Sequence, residues 1–366
     1  MAEPSHRRQP AQTSGDEVPP ARQIGVLRIL DAAANRASGG LRVVEDFLRF
    51  ILDDRHLTGL CKQLRHDLAH ALEEISVPDR YAARETRGDV GTDLTTSAEY
   101  QRADACGVLQ ANFRRVEQSL RSLEEYTKVI QPQVAARLEP LRYRTYTLAR
   151  AAGITAASID RLEGVRLYVL IGGRSSPDEF ADLTRSLLEA GVGAFQLRDK
   201  QLDDRRLLDR ARLLRRLTQE KPALFIVNDR ADLAVLAGAD GVHVGQEELS
   251  VKDVRTIVGP RMLIGVSTHS LGQARQAVLD GADYIGVGPT FASETKQFER
   301  FPGLALLREV SGQIRLPAFA IGGIDNRNLP AVLETGFTRM AVSGAVAGAE
   351  DAPAAARRLL ATLGSS

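Results

Sequence analysis

Two positive charges close an otherwise apolar run near the middle of the chain. The segment AFQLRDK, residues 194–200, begins like a buried strand and ends with Arg198 and Lys200. Side chains alternate between the two faces of a strand, so these cations share one face with Gln196, while Asp199 points to the other. A solvated strand end would explain an isolated pair of this kind. Other polar residues along the chain must decide whether the pair belongs to a binding site.

Polar residues also follow the next apolar runs. FIVND ends in Asn228 and Asp229, GVHVGQEEL contains Glu248, and IGVSTHS contains Ser267. Each has a simple structural interpretation, because an Asn-Asp pair is typical of an Asx-turn or a helix N-cap and serine also caps helices. A glutamate at the start of a helix is favoured by the helix dipole alone. Taken singly, none of these residues indicates a ligand.

Three later segments carry hydroxyl groups, a cation and glycine. The candidates are Ser293, Thr295 and Lys296 in GPTFASETK, Gly323 in AIGGI, and Val342 and Ser343 in AVSGAV. Barrel enzymes often bind a phosphate beside their last two strands through backbone N–H groups, where glycine permits close approach. Tight turns would require the same glycines, so this pattern is a weak indication in isolation.

The combination is more specific than its parts. Three cations, Arg198, Lys200 and Lys296, and two carboxylates, Asp229 and Glu248, come from the ends of four different runs. Mg²⁺ is usually held by one or two carboxylates together with phosphate oxygens and water, so this set suits a metal-bridged polyphosphate. With a separate phosphate seat, the sequence predicts a site for two anionic substrates, one a diphosphate and the other a monophosphate.

The elements that must position these residues are strands alternating with helices. Amphipathic stretches such as FADLTRSLLEAG and LGQARQAVLDGA separate the runs and end at glycine, as helices do. Eight runs are predicted as strands: 166–171, 194–198, 223–228, 241–245, 262–267, 284–288, 317–323 and 339–344. This pattern predicts an α/β fold, a (β/α)₈ TIM barrel with its site at the carboxyl ends of the strands. A doubly wound open sheet is the lesser alternative, because no GxGxxG follows the first run.

The first part of the chain has a different pattern. From about residue 24 to about residue 162, apolar residues recur at intervals of three and four, which predicts an all-α helical domain. LRVVEDF, residues 41–47, matches LRSLEEY, residues 120–126, in charge and apolar placement, so two related helices of one bundle are predicted. Between them, RETRGDVGTDLTT is predicted as an ordered loop that is also a functional candidate.

Composition indicates a soluble protein of two domains. The chain has 366 residues with Lys+Arg 48 against Asp+Glu 47, so no charge bias indicates a nucleic-acid or anionic-membrane partner. No apolar run approaches the roughly 20 residues that span a bilayer. Cys61 and Cys106 lack metal-ligand spacing, which favours a reducing, cytoplasmic location. The predicted division is a disordered tail over 1–22, a helical domain over 23–160 and the barrel over 161–366.

Seven ordered motifs over residues 165–362 resemble those of the thiamine phosphate synthase family. They are QLRDK, FIVND, GVHVGQEEL, IGVSTHS, GPTFASETK, AIGGI and AVSGAV. The resemblance implies a Mg²⁺-dependent transferase that joins a hydroxymethylpyrimidine diphosphate to a thiazole ethyl phosphate and releases pyrophosphate. It assigns Gln196, Arg198, Lys200, Asn228 and Ser267 to the pyrimidine diphosphate, and Asp229 and Glu248 to Mg²⁺. Lys296 would contact the diphosphate, Ser293 and Thr295 the thiazole, and Gly323, Val342 and Ser343 its phosphate. Arg198, Lys200, Ser267 and Lys296 are the expected catalytic residues.

Two residues depart from the family pattern. Glu248 stands where the family usually has Asp, so its longer side chain binds Mg²⁺ either directly or through water, and Ser293 replaces a usual Thr. A thiazole tautomerase-like relative of the same fold would need the phosphate seat alone. The additional cations and Asp229 argue against that alternative.

The helical region resembles the extra domain that precedes the barrel in some bacterial members of the family. The sequence leaves two roles open for it. One is a non-catalytic module for assembly or partner binding, which includes formation of a homo-oligomer. The other is the handling of a pyrimidine phosphate.

Overall fold

The computed structural model describes residues 20–89, 102–219, 221–292 and 301–364. The first part is helical, with α1 Pro20–Phe50, α2 Arg55–Glu73, α3 Val77–Ala83, α4 Ala105–Ile130 and α5 Pro132–Arg161. Asp54, Ser76 and Asp104 precede α2, α3 and α4, and each accepts a hydrogen bond from a backbone N–H of the first turn. Helix α1 begins inside the predicted tail, at a proline, which suits the first turn of a helix. The rest of that tail lies outside the described residues.

The two matching segments lie on neighbouring helices of one bundle, as predicted. Residues 41–47 belong to α1 and residues 120–126 to α4. These helices pack closely at Gly40, where a Cβ atom would come within 2.7 Å of Val116 Cγ2. The matching glutamates also behave alike, because Glu45 pairs with Arg65 of α2 at 3.0 Å and Glu124 with Arg142 of α5 at 2.9 Å. The predicted functional loop is described only as far as residue 89.

The second part is a closed barrel of eight parallel strands. They are β1 Leu167–Ile171, β2 Ala194–Leu197, β3 Leu224–Asn228, β4 Gly241–Val244, β5 Leu263–Thr268, β6 Tyr284–Val287, β7 Ala318–Ile321 and β8 Met340–Val342. Each strand pairs with its sequence neighbour, and β8 closes the barrel on β1. Closure excludes the open doubly wound sheet and confirms the predicted barrel.

Helices cover the outside of the barrel. They are α6 Pro177–Glu189, α7 Asp204–Gln219, α8 Ala231–Ala237, α9 Val251–Val258, α10 Leu271–Asp280, α11 Gly303–Ser311, α12 Leu329–Leu333, α13 Gly344–Ala347 and α14 Ala352–Gly364. Within the described ranges, no helix combines the length and the apolar composition required to cross a bilayer.

The strands divide the apolar side chains between two cores. Val169, Phe195 and Phe225 face the outer helices and belong to a core that continues into the helical bundle. Tyr168, Tyr284 and Phe319 belong to a smaller cluster inside the barrel. This alternation follows from the period of two along a strand. The inner face of each strand can therefore carry polar side chains where the strand reaches the barrel mouth.

Asp54 joins the helical bundle to the barrel. Its two carboxylate oxygens accept hydrogen bonds from the backbone N–H of Leu57 in α2 and of Arg315, just before β7, both at 2.8 Å. The backbone N–H of His56 donates to the Gln313 carbonyl at 2.9 Å. Burial raises the pKa of Asp54, although these backbone donors oppose the shift. One buried carboxylate therefore satisfies donors from both parts of the molecule.

Candidate active site

A cavity of about 450 Å³ opens at the carboxyl ends of the strands. It is lined by every predicted site residue that the structure describes: Gln196, Arg198, Lys200, Asn228, Asp229, Glu248, Ser267, Gly323, Val342 and Ser343. These residues come from β2, β3, β4, β5, β7 and β8 or the loops that follow them. The remaining three predictions, Ser293, Thr295 and Lys296, lie outside the described residues. The barrel therefore gathers onto one surface residues that are up to 147 positions apart, from 196 to 343.

The end of β2 supplies an amide and two cations. Gln196 is buried, Arg198 is partly buried and Lys200 is exposed, so the three side chains follow one face of the strand from the barrel interior to its rim. Asp199 turns away, and its carboxylate accepts hydrogen bonds from the backbone N–H groups of Gly173, Gln201 and Leu202 at 2.7–3.0 Å. Burial opposes ionisation of Asp199, but these donors outweigh it and lower its pKa. Asp199 therefore fixes the loop that presents the cations.

The two predicted metal ligands both line this cavity. Asp229 adopts a left-handed backbone with φ 60°, and its carboxylate accepts a hydrogen bond from the Asn228 amide at 2.5 Å. The cap of α8 is Arg230, so Asp229 is not the helix cap that the isolated pattern favoured. Glu248 is exposed at the mouth and precedes the α9 cap, Ser250. Two carboxylates beside cations are the hard oxygen donors that Mg²⁺ prefers, so the residues present fit this ion. The described residues contain no cluster of three or more potential metal ligands.

Ser267 lies within β5 and does not cap a helix. The cap of α10 is Ser270. The Ser267 hydroxyl lies 3.0 Å from His243 Nε2, on the neighbouring strand β4. Burial, with a smaller contribution from the Arg198 charge, lowers the pKa of His243 to about 4. The imidazole is therefore neutral near pH 7.

The glycines after β7 are required by close packing of two loops. Gly322 and Gly323 have φ values of +101° and +63°, which disfavour any side chain. A Cβ atom on Gly322 would meet Pro289 Cα at 2.7 Å, and one on Gly323 would meet the Ala292 carbonyl oxygen at 2.5 Å. The loop after β6 therefore lies directly against the turn after β7. The requirement for glycine is explained by this packing, whether or not a phosphate binds beside it.

Sequence reasoning missed the aromatic part of the cavity. Tyr168, Tyr284, His243 and His269 all line it. His269 Nδ1 donates a hydrogen bond to the Gly288 carbonyl oxygen at 2.6 Å, because a carbonyl oxygen can only accept. The period-two alternation of RLYVLI and YIGVG would have placed both tyrosines on the inner face. It could not have shown that they reach the same cavity, because that depends on strand register around the barrel.

The helical bundle contains a second cavity, of about 1020 Å³. Its lining includes five arginines, Arg28, Arg36, Arg84, Arg114 and Arg115. Arg84 is already paired with Asp31 through two hydrogen bonds of 2.7 and 2.8 Å. The remaining polar lining includes Asn35, Gln118 and Ser122. This cavity is rich in donors and distinct from the one in the barrel mouth.

Known proteins match both parts of the chain. The family model described as thiamine monophosphate synthase matches residues 167–346, and the model of the ThiD2 family matches residues 28–151. The first match covers all eight strands of the barrel, and the second lies within the helices α1 to α5.

Similarity to individual proteins extends over both parts. The thiamine-phosphate synthase of Rhodopirellula baltica is 48% identical over 332 residues, covering 88% of each chain. That of Gloeobacter violaceus is 45% identical, covering 89% of this chain and 93% of its own. A solved structure of thiamine phosphate pyrophosphorylase from Pyrococcus furiosus is 37% identical and covers 55% of this chain and 96% of its own, with a TM-score of 0.51. The chain therefore belongs to the thiamine-phosphate synthase family.

Proposed function

We propose that the barrel condenses a 4-amino-2-methylpyrimidine bearing a 5-diphosphooxymethyl group with a thiazole ethyl phosphate, giving thiamine phosphate and pyrophosphate. The observation that carries this proposal is the single cavity that brings Arg198 and Lys200 together with Asp229 and Glu248. A site for a lone monophosphate would need neither the paired cations nor the carboxylates. The relatives named above are thiamine-phosphate synthases over most of this chain's length, which supports the same reaction.

The proposed chemistry is an alkyl transfer in which charge moves to the leaving group. The bond between the pyrimidine methylene carbon and the diphosphate oxygen breaks, and its electron pair leaves with the diphosphate. The aminopyrimidine ring stabilises the carbon cation, and the lone pair of the thiazole nitrogen then forms the new C–N bond. This sequence requires no strong general base. The main task of the protein is electrostatic stabilisation of the departing anion.

Each group at the mouth has a role in that step. Arg198 and Lys200 hold the departing diphosphate, and Gln196, Asn228 and Ser267 orient the pyrimidine. Lys296, assigned by its motif, is the proposed third cation. Gly323, Val342 and Ser343 surround the phosphate of the thiazole, and Ser293 and Thr295 are assigned to its ring by their motif. The side chain of Val342 belongs to the outer core, so it contributes through its main chain. Asp229 and Glu248 would hold Mg²⁺, which would neutralise charge on the diphosphate.

Pyrophosphate release tests the function. The purified chain is incubated with both phosphorylated heterocycles and Mg²⁺, and with each omitted in turn. Pyrophosphate should form only in the complete mixture. Lys296→Ala should lower kcat by about 10²-fold, the usual effect of removing one group that stabilises transition-state charge, with little change in melting temperature. Lys252→Ala, an exposed lysine on α9, is the control. Release without the thiazole phosphate, or full activity in Lys296→Ala, would contradict the proposal.

For the helical domain, the arginine-rich cavity favours the handling of a pyrimidine phosphate over a purely assembly role. Arg28, Arg36, Arg114 and Arg115 line the same space, and planar guanidinium groups suit phosphate oxygens. Titration calorimetry with the pyrimidine monophosphate should show binding that Arg36→Gln weakens. The assembly role is supported if neither the wild type nor Arg36→Gln binds the pyrimidine monophosphate and substitutions on the surface of the helical bundle change the oligomeric state.

A further inference from the structure

Five polar side chains form one hydrogen-bonded chain across the inside of the barrel. Gln196 Nε2 donates to the Tyr168 hydroxyl at 2.7 Å, and that hydroxyl lies 3.1 Å from the Tyr284 hydroxyl. Tyr284 in turn lies 3.3 Å from His243 Nδ1, and His243 Nε2 lies 3.0 Å from the Ser267 hydroxyl. The chain thus begins and ends at two residues expected to bind the pyrimidine substrate. Its three central members had no assigned role in the reaction.

The direction of this chain follows from the orientation of the Gln196 amide, whose Nε2 faces the Tyr168 hydroxyl. The Tyr168 hydroxyl accepts from Gln196, and its own proton has no other acceptor than Tyr284 among the residues that the structure describes. If Tyr284 donated to Tyr168 instead, the Tyr168 proton would be buried without a partner, which costs about 1–3 kcal/mol. Tyr168 therefore donates to Tyr284, and Tyr284 donates to His243 Nδ1.

This direction fixes the tautomer of His243 and the role of Ser267. A neutral imidazole has one donor and one acceptor, so a ring that accepts at Nδ1 carries its proton at Nε2. Because its Nδ1 accepts from Tyr284, the His243 ring is neutral, and its Nε2–H donates to the Ser267 oxygen. The hydroxyl proton of Ser267 has no acceptor among the described residues and remains available to a ligand in the cavity. The carbonyl oxygen of Gln196 likewise remains an acceptor.

The backbone of β5 makes room for the centre of the chain. A Cβ atom on Gly265 would lie 2.1 Å from Tyr284 Cζ and 2.5 Å from His243 Nδ1. The two rings occupy the space that any other residue at position 265 would fill. This glycine has a negative-φ strand conformation, so the requirement is for space and not for backbone freedom.

We propose that Tyr168, Tyr284 and His243 are positioning residues that hold one proton arrangement at the pyrimidine site. They keep Ser267 as a hydrogen-bond donor toward the substrate and Gln196 with its carbonyl as an acceptor. The effect on catalysis rests on the proposed function, whereas the proton arrangement is a property of the protein without substrate. A purely structural role for the same side chains would require only aromatic packing. Phe319 shows that a ring without a polar group is sufficient for such packing, because it contacts the rings of both Tyr168 and Tyr284.

The first test measures the tautomer directly. Nitrogen-15 NMR on the full-length labelled protein distinguishes a ring protonated at Nε2 from one protonated at Nδ1, and the His243→Gln variant assigns the resonance. Wild-type His243 should be the neutral Nε2–H form at pH 7, and Tyr284→Phe should shift it toward a mixture of the two forms. An Nδ1–H ring in the wild type, or an unchanged ring in Tyr284→Phe, would overturn the proposal. This readout needs no substrate, so it is independent of the proposed reaction.

The second test asks whether the chain acts through Ser267. Tyr284→Phe should lower kcat/KM for the pyrimidine diphosphate by about tenfold, equivalent to one net hydrogen bond, while the KM of the thiazole phosphate is unchanged. When Ser267→Ala is already present, adding Tyr284→Phe should cause almost no further loss in kcat/KM for the pyrimidine diphosphate. His243→Gln should retain more activity than His243→Asn, because an amide at the longer reach can still donate to Ser267. Tyr126→Phe, at an exposed tyrosine of α4, is the control. Additive losses, or equal losses in the two His243 variants, would show that packing alone is involved.

Discussion

Glu248 is the residue of the site that differs most from the family pattern. Its side chain is exposed at the mouth and lines the same cavity as Asp229. Its neighbour Glu247 is also exposed but does not line the cavity. The helix dipole would favour both glutamates equally, so its position in the cavity lining distinguishes Glu248, the proposed ligand, from Glu247, which merely precedes a helix. This pair of adjacent glutamates allows a matched comparison.

Glu248→Gln should raise the Mg²⁺ concentration needed for half-maximal pyrophosphate release by about tenfold or more, because one anionic ligand is lost. The neutral side chain has nearly the same size, so the melting temperature should change little. Magnesium titrations of the rate measure this shift. Glu247→Gln should behave like the wild type, and an equal shift in both variants would mean that only general charge near the mouth matters.

At the same scale, some site residues could be predicted from the sequence and others could not. Strand alternation was sufficient for Gln196, Arg198 and Lys200, because these residues lie at every second position along β2 and the segment that follows it. The link between His243 and Tyr284 joins β4 to β6 across the barrel. Local patterns carry no information about such a contact, so the position of His243 in the cavity could not be predicted from the sequence.

The strands and helices themselves follow closely from local patterns. Each predicted strand lies within two residues of the observed one at both ends, because β-branched runs and turn residues mark strand limits well. The cap of α10 was the exception, since the motif STHS offers two serines and Ser270, not Ser267, accepts the N-terminal hydrogen bond.

The contact of the α1–α2 connection with the barrel was not predicted. It depends on a single carboxylate, Asp54, meeting a backbone N–H 261 residues away.

Asp54→Ala should lower the melting temperature more than Ser76→Ala, measured by scanning calorimetry. Both substitutions remove a helix cap, which typically costs about 0.5–2 kcal/mol. Asp54→Ala also leaves the Arg315 N–H unpaired at the junction, and an unsatisfied buried donor costs a further amount of about 1–3 kcal/mol. Ser76 caps the short helix α3 and accepts only from Asp79, so it is the matched control. Equal destabilisation by the two substitutions would mean that the hydrogen bond between Asp54 and the Arg315 N–H contributes no stability.

At the scale of the whole molecule, two histidines make folding sensitive to acid. Burial is the main reason that the pKa of both His56 and His243 falls to about 4. The positive charge of Arg275 lowers the pKa of His56 further, and that of Arg198 lowers the pKa of His243. The unfolded chain has ordinary histidines with a pKa near 6.5, so between these values it binds more protons than the folded chain. Their contribution to stability is therefore complete above pH 6.5 and is lost progressively as the pH falls toward 4.

The melting temperature should consequently fall between pH 7 and pH 4.5. His56→Gln should reduce the slope of that fall, because residue 56 no longer takes up a proton on unfolding. Thr256, an exposed residue of α9 without a titratable group, provides the control substitution Thr256→Ala, which should leave the slope unchanged. An identical slope in all three proteins would contradict the role assigned to His56.

The two cavities divide the molecule into two candidate sites, and only the barrel is expected to release pyrophosphate. The most direct measurement compares pyrophosphate release from the pyrimidine diphosphate and the thiazole phosphate by the wild type, Arg198→Gln and Arg36→Gln. Arg198→Gln should lose about 10²-fold or more in kcat, while Arg36→Gln, altered in the cavity of the helical bundle, should keep the wild-type rate. Wild-type release by Arg198→Gln, or loss of release in Arg36→Gln alone, would contradict the assignment of the reaction to the barrel mouth.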